Sequence, residues 1–337
     1  MNATAPGFLG IEIGGTKLQL GFGRGDGGID AIERRRVQPE HGAEGIRAQI
    51  VEMFKTLRRR LDLRPDQFAA AGIGFGGPVD SARGIVTVSH QIEGWAGFPL
   101  VDWARETLKI DHVVLQNDAD TAALGEARFG AGKGLSPVLY VNSGSGIGGG
   151  LVIDGRIYPG SGHGALEIGH LRIDLPGAPS ESGPTTLEEI ASGWAIDRAA
   201  KGLAEWGGGL LELAGGDLDS VDAKTVALSA QQDPDGPGAE ILRIATLAMG
   251  IALAHAVTLL APRRVVLGGG VSLMDESLWL LPIRKIVDER VFPPFRGTFE
   301  IVTASLGESI VLQGALALAA DEGGGGRLNT RPSNTES

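Results

Sequence analysis

Apolar and polar positions alternate from residue 8 to residue 23 on either side of Gly14-Gly15, which predicts two strands joined by a glycine turn; residues 29–37 predict a third strand. The period then changes. Ile46, Ile50, Met53, Phe54 and Leu57 recur every three or four positions, one face of a helix from Ala43 to Leu61. A strand over Ala70–Phe75 runs into the turn Gly76-Gly77-Pro78, followed by a short strand at Gly84–Val88 and a helix at Leu100–Leu108. The apolar run Val113–Gln116 predicts a strand that delivers Asn117 and Asp118 at its C-terminal end, where a helix from Ala119 to Phe129 begins.

The second half starts the same way. Val138–Val141 and Ile147–Ile153 predict a hairpin around a second glycine loop, with a further turn at Asp154-Gly155. Residues Leu175–Thr185 are rich in Pro, Gly and Ser and predict a loop. Helices follow at Thr186–Gly202 and Pro237–Leu260, then a strand at Val265–Leu267, a helix at Leu278–Arg290, a strand at Phe299–Thr303 and a helix at Ile310–Ala320. From Asp321 to Ser337 the composition predicts a disordered tail. Two similar α/β lobes are expected, with ligand bound in the cleft between them: a small lobe of residues 8–117 completed by the returning helix 310–320, and a large lobe of residues 118–309.

Composition narrows the function. A net charge of −11 argues against a nucleic-acid surface, which needs clustered Lys and Arg; Arg34-Arg35-Arg36 and Arg58-Arg59-Arg60 are flanked by acids and read as solvated faces. The chain contains no cysteine, so disulfides and thiolate metal sites are impossible. Residues 1–7 lack a basic segment followed by an apolar one, and a cytoplasmic protein is expected. Ile244–Pro262 carries no charge and approaches the roughly 20 residues of a membrane span. His255, its threonines and many alanines favour a buried helix instead, so no membrane partner is expected.

Three glycine-rich segments carry the candidate chemistry: Gly14-Gly15-Thr16-Lys17, Gly144-Ser145-Gly146-Ile147-Gly148, and Gly268-Gly269-Gly270. Each follows or ends a short apolar run, so each reads as a strand feeding a turn whose bare N–H groups can face a phosphate or a nucleotide. Such turns are also common as plain structure. Three of them, with Asn117-Asp118 between the first two, suit a nucleotide-dependent kinase: two backbone loops for phosphates, Glu12 reaching Mg²⁺ through water, and Asp118 taking the proton of an acceptor hydroxyl. Taken alone, Asp118 reads equally well as the N-cap of the following helix. Glu167 and His170 present groups suited to a polyol, and Glu188 is either a further sugar contact or an acid in the first turn of a helix.

Together with Gly74-Phe75-Gly76-Gly77-Pro78-Val79-Asp80, these segments resemble, in order and spacing, the motifs of the ROK family of sugar kinases and repressors, from about Phe8 to Ala320. The resemblance implies a two-lobed actin-like (ribonuclease-H-like) α/β fold with a central cleft, phosphoryl transfer from Mg²⁺-ATP to the 6-hydroxyl of a hexose, glucose first, and a homodimer or homotetramer. It implies Asp118 as catalytic base, sugar contacts at Asn117, Glu167, His170 and Glu188, with Gly76 beside them, and adenosine near Gly268, Gly269 and Gly270. The sequence departs from the family where Glu12 stands for the usual Asp, Ser145 for Thr, and His163 for a common glycine. Many members hold zinc through the histidine matching His170 and three cysteines in the next loop. Here that loop has none, so no zinc site is expected, and His163 or Glu181 would be the substitute ligands. The alternatives are a sugar sensor without catalysis, a kinase for N-acetylmannosamine, N-acetylglucosamine or fructose, and a polyphosphate-dependent glucokinase. Against the sensor, the first strand is expected about eight residues in, which leaves no room for a helix-turn-helix.

Overall fold

The alternation in the first two strands separates two kinds of side chain, and the fold follows from that separation. In a computed structural model describing residues 7–88, 92–161, 165–175, 185–205 and 207–324, strands β1 (Gly7–Ile13) and β2 (Lys17–Gly23) form the predicted hairpin, and β3 (Ala31–Arg36) joins β2. Leu9, Ile11, Ile13, Leu18, Leu20 and Phe22 are buried in one cluster with Ile46, Ile50, Met53, Phe54 and Leu57 of α1 (Gly42–Leu61). The intervening positions, Gly10, Glu12, Gln19 and Gly21, belong to the other face.

After α1 come β4 (Phe68–Phe75), the two-residue strands β5 (Val79–Asp80) and β6 (Ile85–Val86), α2 (Leu100–Leu108), β7 (Val113–Asn117) and α3 (Asp118–Phe129). The sheet order is β3-β2-β1-β4-β7, with β1, β4 and β7 mutually parallel. The strand expected over Gly84–Val88 is shortened to two residues, paired back on β5 in a small hairpin of its own.

The second half contains β8 (Val138–Ser143), β9 (Ile147–Ile153), β10 (Arg156–Ile157), β11 (Arg172–Ile173), β12 (Thr185–Thr186), α4 (Leu187–Ala191), α5 (Gly193–Ala204), α6 (Gly209–Leu213), α7 (Ala223–Gln232), α8 (Pro237–Leu260), β13 (Arg264–Gly268), α9 (Leu280–Arg290) and β14 (Glu300–Thr303). Its sheet has the order β10-β9-β8-β13-β14. An antiparallel meander followed by two parallel strands thus repeats the pattern of the first sheet. Helix α8 is long and apolar enough to span a membrane, yet most of it is buried within this unit, as the sequence predicted.

Helix α10 (Ile310–Gly323) closes the chain. The described chain divides into two units, one running to Gly125 and resuming at Glu308, the other comprising Glu126–Gly307. Helix α10 belongs to the first unit and lies on the glycine face of its sheet. A Cβ on Gly72 would stand 2.0 Å from the Ala315 carbonyl oxygen, and one on Gly21 2.7 Å from Leu312 Cδ2. The helix therefore rests directly on strand backbone.

Three expectations are corrected. The helix predicted over Thr186–Gly202 is two helices, because Ser192 is extended and its Oγ accepts the Ala195 N–H as an N-cap, which starts α5 afresh. Helices α6 and α7 fall where no element was predicted; α7 begins at Asp222, whose carboxylate accepts the N–H groups of Lys224 and Thr225. The expected tail from Asp321 is helical to Gly323, where bare backbone lies against strands β1 and β4: a Cβ there would stand 2.9 Å from Phe8 Cε1 and 3.3 Å from the Ala70 Cβ. The rest of that tail, from residue 325, lies outside the described residues, as do His163 and Glu181.

Candidate active site

Three parallel strands of the first unit end side by side, and every candidate residue of that unit sits at or near those ends. Ile13 lies opposite Phe75, and Phe75 opposite Asn117. Gly14, Gly76 and Asp118 are therefore the next residue out on each strand. The Gly76 N–H donates to the Ile13 carbonyl at 2.8 Å, and a Cβ on Gly76 would stand 3.3 Å from Asp118 Oδ2. A bare backbone at residue 76 thus leaves the aspartate room.

Asn117, rather than Asp118, performs the capping that sequence left open between the two readings. Asn117 Oδ1 accepts the Ala119 N–H at 2.8 Å and the Asp120 N–H at 3.4 Å, while its Nδ2 donates to the Gly77 carbonyl. Asp118 is the first residue of α3, half-buried, with Oδ1 accepting the Ala119 N–H at 2.9 Å. Burial, reinforced by the like charge of Glu12, pushes its carboxyl up to about 6 against the pull of the Ala119 N–H. A carboxylate poised there is suited to accepting a proton near neutral pH.

Glu12 is buried, 5% exposed, on the glycine face of β1. Its Oε1 lies 3.0 Å from Lys17 Nζ, and its Oε2 accepts from Gln19 Nε2 at 2.6 Å. Burial raises its pKa, opposed by the Lys17 charge and by the hydrogen bonds from Lys17 and Gln19. Lys17 also donates to the Glu308 carbonyl at 2.9 Å, so it is held beside Glu12 rather than projecting from the turn. The turn itself is tight: the Gly14 N–H donates to the Lys17 carbonyl at 2.9 Å, and Thr16 is exposed. Among the described residues no cluster of three or more His, Asp or Glu is placed to hold a metal. One buried carboxylate is what Mg²⁺ needs when phosphates and waters fill its remaining positions, so the residues present fit that ion.

In the second unit, β8 and β13 run parallel with Gly268 opposite Asn142, so two glycine loops leave neighbouring strand ends. Gly269 has a φ of +86°, and a Cβ there would stand 2.3 Å from the Ser143 carbonyl oxygen. Both conditions require glycine. Gly270 has open space where a Cβ would be, and the Ser272 hydroxyl fixes the turn by donating to the Gly268 carbonyl at 2.8 Å. Ser145 is exposed at the tip of the loop that contains Gly144 and Gly146 and leads to Gly148. The start of α5 braces that loop, with the N–H groups of Gly193 and Trp194 donating to the carbonyls of Gly144 and Ser145.

Glu188 is tied to the same loop. Its Oε2 accepts the Ile147 N–H at 2.7 Å and lies 2.5 Å from where a Cβ on Gly146 would stand. Glu167 precedes the 3-10 turn Ile168–His170 and His170 ends it, and both residues are exposed. The glycine between them is required, since a Cβ on Gly169 would stand 2.2 Å from the Ile147 carbonyl oxygen. Leu166, just before Glu167, holds a φ of +67°, a strained conformation of the kind that gathers at functional sites. The backbone around Ile147 thus fixes Glu188 and the Glu167–His170 turn together, which their separation in sequence did not disclose.

The sequence profile of the ROK family matches residues 8–322. The chain is 32% identical to a glucokinase of Thermotoga maritima over 94% of its own length and 98% of the relative's. It superposes on the crystal structure of a ROK family glucokinase from Streptomyces griseus in complex with glucose and AMPPNP, with a TM-score of 0.76, 33% identity and coverage of 93% of this chain and 99% of that one. The ROK hexokinase from Thermus thermophilus gives a TM-score of 0.75 at 30% identity, covering 93% and 97%. With glycine loops and an Asn-Asp pair at the ends of parallel strands, and a family match running from the first strand into the last helix, this chain belongs to the ROK family.

Proposed function

We propose that this chain is an ATP-dependent kinase that transfers the γ-phosphoryl group of ATP to the 6-hydroxyl of glucose. The observation that carries the proposal is Asp118, a carboxylate raised to about 6 in the same strand-end row as the first glycine turn. The likeness to glucokinases over nearly the whole chain, one of them solved with glucose and an ATP analogue, supports this choice of acceptor and donor.

In this reading the sugar O6–phosphorus bond forms as the bond from phosphorus to the β-γ bridging oxygen breaks, and the O6 proton passes to the Asp118 carboxylate. Asn117, held by its bonds to Gly77 and Ala119, is a sugar contact of fixed orientation. Glu167, His170 and Glu188 supply acceptors and donors for further hydroxyls. Gly14 and Gly144 close their turns, their N–H groups donating to the Lys17 and Gly146 carbonyls, so that the N–H groups of Gly15 and Thr16 and those of Ser145, Gly146 and Gly148 are the phosphate-facing donors. Gly268, Gly269 and Gly270 leave bare backbone for the adenosine. Glu12 would hold Mg²⁺ through water; when bound, that ion offsets the negative charge of the transferring phosphoryl group. No structural zinc is expected, since the chain has no cysteine to hold it. A homodimer or homotetramer is the proposed assembly, checked by sedimentation equilibrium.

The base must be ionised to act. The kcat/KM for glucose is therefore expected to rise with pH through an apparent pKa of about 6 and to level off above it. A profile flat from pH 5 to 8 would remove Asp118 from that role. Substrate identity is tested by ADP release across glucose, fructose, mannose, N-acetylglucosamine and N-acetylmannosamine, with polyphosphate as an alternative donor. Turnover that depends on glucose and ATP is expected. Preference for an N-acetylated sugar or for polyphosphate would move the assignment within the family, and sugar binding without turnover would make the protein a sensor.

A further inference from the structure

Gln19 is an unexpected residue in the apolar run of β2, and it is fully buried. Cross-strand register explains what it does there: Glu12 of β1 lies opposite Gln19, and Gln19 lies opposite Arg34 of β3. Arg34 Nε donates to Gln19 Oε1 at 2.7 Å, and Gln19 Nε2 donates to Glu12 Oε2 at 2.6 Å and to the Glu308 carbonyl at 3.0 Å. The amide has one workable orientation, because a guanidinium can only donate and an ionised carboxylate can only accept. Lys17 grips the other oxygen of Glu12 and the same Glu308 carbonyl. Arg34 also reaches the Ser309 hydroxyl at 3.2 Å, just before α10.

We propose that Gln19 and Arg34 are positioning residues for Glu12, fixing its carboxylate toward the metal that accompanies the nucleotide. A glutamate has three side-chain torsions and would otherwise sample several orientations at the end of β1. Here each carboxylate oxygen has its own donor, and the amide donor is itself held from behind by Arg34. Hydrogen bonds to both oxygens restrict the buried Glu12 carboxylate to one orientation, and loss of a partner behind a metal-binding carboxylate lowers metal affinity. The proposal rests on Glu12 serving that metal.

The test is equilibrium binding of ADP by calorimetry, with Mg²⁺ and with EDTA, read as the ratio of the two affinities, together with glucose affinity and Tm. Arg34→Met and Gln19→Met are expected to cut the Mg²⁺-dependent ratio about tenfold, leaving metal-free ADP and glucose binding unchanged. Arg34→Lys should recover part of the loss. Arg34 is exposed, so its variant decides the question if Gln19→Met fails to fold. Glu12→Gln separates the two claims. If it leaves the ratio intact, the metal role of Glu12 falls and the proposal falls with it. If it collapses the ratio while folded Arg34→Met retains the wild-type value, the positioning role alone is overturned.

Discussion

Asp118→Asn is expected to lower kcat for glucose phosphorylation by about 10²–10⁴-fold, the usual contribution of a general base, while glucose affinity stays within about twofold. The substitution keeps shape and keeps an oxygen for the Ala119 N–H. It removes the negative charge and, with it, the capacity to take a proton. Stability should move the other way: ionising a carboxyl whose pKa is raised in the fold, to about 6, destabilises the fold, and that cost grows as pH rises from the ordinary carboxylate value to about 6 and is constant above it. The amide has no such cost. At pH 8 the variant's Tm should equal or exceed that of the parent, with the difference vanishing in acid. Thermal unfolding at pH 4 and 8 beside steady-state kinetics checks both statements. Loss of activity together with a lowered Tm at pH 8 would mean that Asp118 is needed for structure rather than for proton transfer.

Gly72→Val should cost at least about 3 kcal/mol, the upper range for overpacking, or prevent folding. The atoms that a side chain would meet are backbone: the Ala315 carbonyl oxygen at 2.0 Å, its carbon at 2.9 Å and the Ala319 nitrogen at 3.1 Å. Neither helix nor strand can yield there by changing a rotamer. Helix α10 would have to lift from the sheet, uncovering Leu312, Ala315, Leu316 and Ala319, all buried. Gly202 in α5 provides the contrast, because no atom lies within 4 Å of a Cβ there. Gly202→Ala should stabilise by up to about 1 kcal/mol through helix propensity alone. Urea unfolding of both variants checks the pair, and equal midpoints would contradict the packing of α10.

Elements with strong periodicity were legible from sequence. The limits of α2 and α8 agree with the pattern of apolar residues, and the β1–β2 hairpin agrees to within a residue. The candidate residues were legible as motifs because glycine loops and Asn117-Asp118 punctuate apolar strands. Their local tasks were not. Whether Asn117 or Asp118 caps α3 depends on which side chain reaches back to the Ala119 and Asp120 N–H groups, and the dipeptide alone contains no such information. The break at Ser192 was hidden because serine is acceptable inside a helix, and only the close approach of Gly193 to the Gly144 carbonyl shows why the chain turns there. Arg34 read as part of a solvated run, yet its Nε reaches Gln19. That contact depends on strand register, and the carbonyl completing the network belongs to Glu308, 291 residues from Lys17. Long-range pairing of this kind leaves no local trace in sequence.

As a hexose 6-kinase, this chain makes glucose 6-phosphate and ADP from glucose and ATP. The direct measurement is ³¹P and ¹³C NMR of a reaction containing glucose, ATP and Mg²⁺. A phosphomonoester signal coupled to carbon 6 of glucose is expected, growing in step with ADP and absent with Asp118→Asn. Phosphate released to water in place of that signal, or unchanged ATP in a sample where glucose is demonstrably bound, would contradict it.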